Sequence, residues 1–341
     1  MKRREFLGTV GAAAAASALA TRSGYSQGTK RLIGYSVSTL ANPFFQGMTK
    51  GVVTAIRATP DMSLLNTNAN GDANAQATAI LDMVNRGAEA LIINAINSNA
   101  IVPVVMQARK HGIPVFTLDR GAACGDCQIN FLETDNIALG REGAQFIAQK
   151  LKDRYGSVKG NVVDLVGLLG STAGDAREKG FSDEFNKIAA ENSGLKLIAR
   201  QEGQFNQERS FNLMSQIMAA HPVIDAVFNG NDDNVVGALR AVEQGGREAP
   251  IGDPKHIIMI GIDGTEQALT AIRRGKLDAT LSQNPLTMAA QSVTYISDYF
   301  HGKKADIPAH QYWPHFLVTK ETIDTPAAKA YGLWADELQR S

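Results

Sequence analysis

Hydrogen-bonding and aromatic side chains recur where the apolar runs of this chain end. The run 32–37 hands over to Ser38, Asn42 and the adjacent rings Phe44 and Phe45. The run 113–118 ends in Asp119-Arg120, and 161–167 leads to a loop holding Asp175 and Arg177. Phe205 follows the run 195–200, Asn229, Asn231 and Asp232 follow 225–228, Asp263 follows 257–262, and Gln283 follows 279–282. The set has carboxylates, guanidinia, amides and phenyl rings. It has no histidine, no cysteine and no carboxylate pair spaced for acid–base work. Such a set suits a free sugar. A hydroxyl both donates and accepts, so Asp, Asn and Gln each satisfy it, and Arg adds a planar fork of donors. The C–H face of a pyranose is apolar and lies flat on an aromatic ring. Binding without catalysis is the expectation.

These residues need elements to hold them. Short apolar runs alternate with amphipathic segments along nearly the whole chain, the pattern of parallel strands joined by crossover helices. Helices are expected over 44–58, 74–87, 100–112, 138–152, about 176–191, 207–221, 234–246, 266–275 and 288–300. About ten strands are too many for one comfortable sheet, so two doubly wound α/β domains are the economical solution. In open α/β sheets ligands lie beyond the carboxyl ends of the strands, which is where the polar set falls.

Each member also admits a plainer role. Phe44, Phe45 and Phe205 could be core rings. Asp119-Arg120 could be a surface ion pair, and Arg177 could pair with Asp175 or Glu178. Asn231 or Asp232 could only cap the following helix, and Asp263 could be a turn residue. The case rests on the set.

Over the 341 residues Lys+Arg and Asp+Glu both number 34, so no basic excess invites nucleic acid. Residues 1–20 have a basic start, a short apolar stretch and Ala18-Leu19-Ala20, the order of an export leader. Arg3-Arg4 ahead of Glu5-Phe6-Leu7 resembles the twin-arginine type, and a periplasmic location follows. In that oxidising compartment Cys124 and Cys127 of "ACGDC" are expected to form a small loop disulfide. A strand-like run follows them where a thioredoxin motif would open a helix. "GLLGSTAG" lacks the G-x-G-x-x-G spacing, which argues against a dinucleotide enzyme, and no other cofactor motif is present.

From about Leu32 to Val318 the chain resembles the periplasmic sugar-binding proteins of ABC transporters, ribose-binding proteins above all. The motifs are "VSTLANPFF", "FTLDR", "STAGDAREKGF", "AVFNGNDDNVVGALRA", "IGIDGT" and "DATLSQNP". The resemblance implies sugar contacts at Ser38, Asn42, Phe44, Phe45, Asp119, Arg120, Arg177, Phe205, Asn231, Asp263 and Gln283. Ile262 stands where ribose binders usually carry Phe, which implies a differently shaped wall. The resemblance further implies a three-segment hinge, with crossings near Thr134, Gln283 and Pro314. One lobe would comprise 31–134 plus 284–313 and the other 135–283 plus 314–331, with the ligand in the cleft between them. It implies a monomer that delivers a monosaccharide, an aldopentose such as ribose first, to a membrane permease driven by a separate ATPase. A chemoreceptor, and another sugar, a polyol or a signalling sugar as ligand, are the alternatives. The lac-repressor class shares the two-domain sensor, but residues 1–30 offer a leader in place of a DNA-binding helix-turn-helix.

Overall fold

The computed structural model describes residues 30–340, so the leader and its twin arginines lie outside the described residues. The first half runs β1 (Arg31–Val37), α1 (Pro43–Ala58), β2 (Met62–Asn68), α2 (Ala73–Asn85), β3 (Ala90–Ile93), α3 (Val102–Lys110), β4 (Val115–Leu118) and β5 (Asn130–Thr134). There follow α4 (Asn136–Tyr155), β6 (Gly160–Val166), α5 (Thr172–Glu191), β7 (Leu195–Glu202), α6 (Gln207–Ala220), β8 (Ala226–Asn229), α7 (Asp232–Gln244), β9 (Ile258–Asp263), α8 (Glu266–Arg273) and β10 (Ala279–Ser282). The chain closes with α9 (Pro285–Phe300), β11 (His310–Trp313), β12 (Phe316–Thr319), α10 (Pro326–Tyr331) and α11 (Trp334–Arg340).

Two α/β domains result. Each has a six-stranded sheet, in the orders β11-β5-β4-β3-β1-β2 and β12-β10-β9-β8-β6-β7. Every pairing is parallel except β10 with β12. Strands such as β3 and β4 are buried along their whole length, as parallel strands covered on both faces must be. The chain changes sheet between β5 and β6, between β10 and β11, and between β11 and β12.

Local chemistry sets the elements that matter for the site. Pro43 opens α1 with Asn42 as its cap, whose side chain accepts from the Phe44 amide at 2.8 Å. Helix α5 begins at Thr172, capped by Ser171, four residues before the expected start near 176, so Asp175 as well as Arg177 lies in its first turns and not in the preceding loop. The reason is Gly174, where a Cβ would meet the Leu168 carbonyl oxygen at 1.9 Å; the helix winds tightly against the preceding loop there. Helices α4 and α5 reach backbone contact through two more glycines. A Cβ on Gly140 would lie 2.1 Å from the Arg177 carbonyl oxygen, and one on Gly180 equally close to that of Ile137. Strands β11 and β12, absent from the sequence reading, are four residues each: β11 (HQYW) has no buried residue and no apolar run, and β12 (FLVT) is a short apolar run half buried at a sheet edge with no crossover helix of the usual length before it.

Candidate functional site

The carboxyl ends of β1 and β4 in the first domain face those of β6, β7, β8 and β9 in the second. Between them a narrow chamber is lined by Asn42, Phe44, Phe45, Asp119 and Arg120 from one side and by Ala173, Arg177, Phe205, Asn231 and Asp263 from the other. The side chains of the two Asp and two Arg residues are at most 5% exposed. Asp119 and Arg120 approach to 3.8 Å, as do Arg177 and Asp263. Burial is costly for four charges, and balanced signs with hydrogen bonds keep it tolerable. Burial raises the Asp119 carboxyl above its ordinary value against the pull of Arg120 and Arg177. It raises Asp263 well above its own, opposed by Arg177 and reinforced by Asp232. Arg120 is lowered to about 10 by burial, with Asp119 opposing.

Three of the four charges are fixed from behind. Asn94, just past β3, donates to Asp119 at 3.2 Å and accepts from the Ser38 hydroxyl at 2.6 Å. Asp263 accepts from Asn231 at 3.2 Å and from Gln283 at 2.8 Å. Arg177 donates from Nε to Asn136 at 2.8 Å and from Nη1 to the Gly230 carbonyl at 2.9 Å. Asn231 also caps α7, so Asp232 is free for another task. It accepts from the Gly264 and Thr265 amides and the Thr280 hydroxyl, fixing the turn behind Asp263, and burial pushes it up to about 7. Asp119, Phe205 and Asp263 have φ of 65°, 54° and 132°, a region costly for residues with a Cβ. Strain of this kind persists where the surroundings over-determine it, commonly at functional sites.

The rings face the charges. The Arg120 guanidinium lies 4.8 Å from the Phe45 centroid and 5.3 Å from that of Phe205, which in turn is 5.6 Å from the Arg177 guanidinium. Arg120 Nε and Gln283 Oε1 are buried without a hydrogen-bond partner. The chamber opens on a cavity of about 660 Å³ at the cleft mouth, lined among others by Ser38, Thr39, Gln204, Gln207 and Asp233.

Sequence-marked residues fall in three groups. Asn42, Phe44, Phe45, Asp119, Arg120, Arg177, Phe205, Asn231 and Asp263 share the chamber. Ser38 lies at its mouth, and Gln283 stands behind Asp263. Ile262 does neither; strand alternation turns it with Ile258 and Ile260 into the second domain's core, so it forms no wall of the chamber. Cys124 and Cys127 are joined in the loop after Arg120, with Cα atoms 5.6 Å apart.

Residues not marked from the sequence complete the cleft. At its front, Ser98 donates from its amide to the Gly170 carbonyl and accepts from the Thr172 amide, both at 3.0 Å, while Gly121 donates to the Thr172 hydroxyl at 3.1 Å. These bonds join the two domains directly. At its back, Trp334 donates to the Asp263 carbonyl at 2.9 Å and packs on Phe44 and Gly47. Asn94 sits at a strand end and was within reach of the rule that found its neighbours; Trp334 carried no such mark. Among the described residues no cluster of His, Cys, Asp and Glu could hold a metal, and no helix is long and apolar enough to cross a membrane.

Comparison with known proteins bears on this geometry. The profile of the periplasmic binding protein domain matches residues 33–304. The ribose import binding protein of Bacillus subtilis is 34% identical over 273 residues, covering 80% of this chain and 82% of that one. A solute-binding protein of an ABC transporter from Bacillus halodurans, solved with myo-inositol, superposes with a TM-score of 0.77 at 25% identity, over 88% of this chain and 98% of that one. A counterpart from Actinobacillus succinogenes, solved with D-allose, gives 0.75 at 25% identity, over 86% and 98%.

Proposed function

This chain belongs to the periplasmic binding protein family, and on that premise we propose that it captures a free monosaccharide, an aldopentose such as ribose first, for an ABC importer. One observation carries the reading. Carboxylates, guanidinia and amides from both domains converge with phenyl rings on a single interdomain chamber. A ligand held there touches both domains at once, and only such differential contact favours the closed arrangement over an open one. Asp119, Asp263, Asn42 and Asn231 take and give hydroxyl hydrogen bonds. Arg120 and Arg177 donate, and Phe45 and Phe205 cover the apolar ring faces. Arg120 now stands between those two rings, so an entering sugar shifts its guanidinium toward Asp119, where its unpartnered Nε finds an acceptor.

The protein acts as a monomeric receptor outside the cytoplasm, after leader removal, and hands its cargo to a permease worked by a separate ATPase. Lobes of 31–134 plus 284–313 and of 135–283 plus 314–331 rotate about the three crossings. Delivery to a chemoreceptor is a further use of the closed form. A larger sugar or polyol is the second reading, favoured by the cavity at the cleft mouth.

Thermal unfolding of the mature protein against pentoses, hexoses and polyols tests this. Ligand at ~1,000 times its dissociation constant adds about 4 kcal/mol and a clear rise in midpoint. D-ribose or another aldopentose is expected to give that rise, and Arg120→Ala and Asp263→Ala to abolish it. No response to any sugar or polyol after unfolding and refolding, which strips co-purified ligand, would overturn the reading.

A further inference from the structure

Arg177 is held from a direction that sugar chemistry does not explain. Its Nε donates at 2.8 Å to Oδ1 of Asn136, the first residue of α4. The Asn136 amide nitrogen donates at 2.9 Å to Glu133 Oε2 and at 2.9 Å to the Thr134 carbonyl. Glu133 Oε1 lies 2.9 Å from His310 Nε2. Glu133 belongs to β5 and His310 to β11, adjacent strands of the first sheet, whereas Asn136 and Arg177 belong to the second domain. The chain of contacts therefore crosses the first connection between domains and touches the strand that leads to the third.

We propose that Asn136 and Glu133 are positioning residues for the sugar site, holding the Arg177 guanidinium toward the chamber through the hinge. This rests on the sugar-cleft reading for its function, though not for its geometry. An arginine side chain has many rotamers, and fixing one from behind removes the entropy cost of ordering it on a ligand. Asn136 is suited to the role because its amide presents an acceptor to Arg177 and a donor to Glu133 at once. Rotation at 134–136 moves Glu133 relative to Asn136, so the arginine is presented only while the connection keeps its closed geometry. Burial raises Glu133 to about 8, with Asn136 opposing and with Asp119 and Asp135 adding to it; Arg177 opposes it too. Burial lowers His310, with Asp135 opposing. Both directions favour the neutral forms of this pair, in which the carboxyl donates to the imidazole. Tyr312 is the other titratable group facing Glu133 from β11.

The test uses the arginine Nε–H resonances of the mature protein, with the Arg177 line identified by its loss in Arg177→Lys, together with D-ribose affinity by calorimetry. In Asn136→Leu and Glu133→Ala the Arg177 line is expected to move or broaden into solvent exchange, and affinity to fall ~10- to 100-fold, the range for a lost hydrogen bond to a charged group. Glu133→Gln, which donates to His310 and accepts from Asn136 as the protonated carboxyl does, restores both to within about two-fold. An unchanged Arg177 line in Asn136→Leu, or Glu133→Gln behaving like Glu133→Ala, overturns the proposal. D-ribose failing to bind the unmodified protein counts against the pentose reading instead, and the resonance then decides the positioning role alone.

Discussion

Asp263 combines a backbone at φ 132° with a buried carboxylate, and two donors fix it from either side. Each feature costs stability in the ligand-free protein, and on the proposed reading the carboxylate accepts from a sugar hydroxyl. Asp263→Asn keeps the shape, tolerates positive φ and removes the buried charge. Sugar affinity should fall ~10- to 100-fold, as for loss of a charged acceptor, while the unfolding midpoint stays level or rises. A marked fall in midpoint would show that the charge supports the fold and not the ligand. The residues converging on the chamber were legible because strand ends in a parallel sheet are where ligands sit, and Asp119, Arg177 and Asp263 each follow an apolar run. Asn136 and Trp334 were not. One begins a helix and the other lies beyond the last expected element, so their partners 41 and 71 residues away exist only in three dimensions.

Helix pairing explains how accurately these residues are held. The Cβ of Gly140→Ala would collide with the Arg177 carbonyl oxygen, a backbone atom that cannot swing aside. The substitution should cost about 1–3 kcal/mol as α4 and α5 separate. It should also weaken sugar binding, because Arg177 moves with α5; denaturant unfolding and calorimetry on the same variant measure both. Further from the cleft, His256 sits with Nδ1 2.9 Å from the Ala249 carbonyl and Nε2 2.9 Å from Asp278, so both ring nitrogens face acceptors. Burial opposes the charged ring, but the Asp278 carboxylate outweighs it and the histidine is raised above its ordinary value. Its folded-state value exceeds the unfolded one near ~6.5. The stabilisation is therefore complete below that pH and lost as pH climbs through the raised value. The midpoint gap between the parent and His256→Gln should be wide at pH 6 and narrow by pH 9. Most helices were legible from their caps and apolar spacing. The α5 start was missed because Gly174 looks like a break and is in fact the residue that permits close winding.

For the molecule as a whole, closure has its own contacts in addition to any the ligand supplies. Ser98 and Thr172 join the two domains at the cleft front without involving any chamber side chain. Ser98→Ala and Thr172→Val should each favour the open form and lower sugar affinity roughly 3- to 10-fold, the worth of one neutral hydrogen bond. Small-angle scattering should show a larger radius of gyration at subsaturating sugar; equal radii and affinities would remove the latch from the account. The alternation of strands and helices made two domains legible, but the pairing of 98 with 172 was not, since neither residue type nor spacing marks it. Closure also acts on the chain's two tryptophans. Trp313 ends β11 at the third crossing and donates to the Thr287 hydroxyl at 3.0 Å, and Trp334 bridges the Asp263 carbonyl and the Phe44 ring. On the proposed hinge closure both indoles therefore sit at moving junctions, and the sequence has no third tryptophan. The protein carries an optical gauge of its own opening: ultraviolet emission from these two rings should follow closure in real time, without a dye or an engineered label.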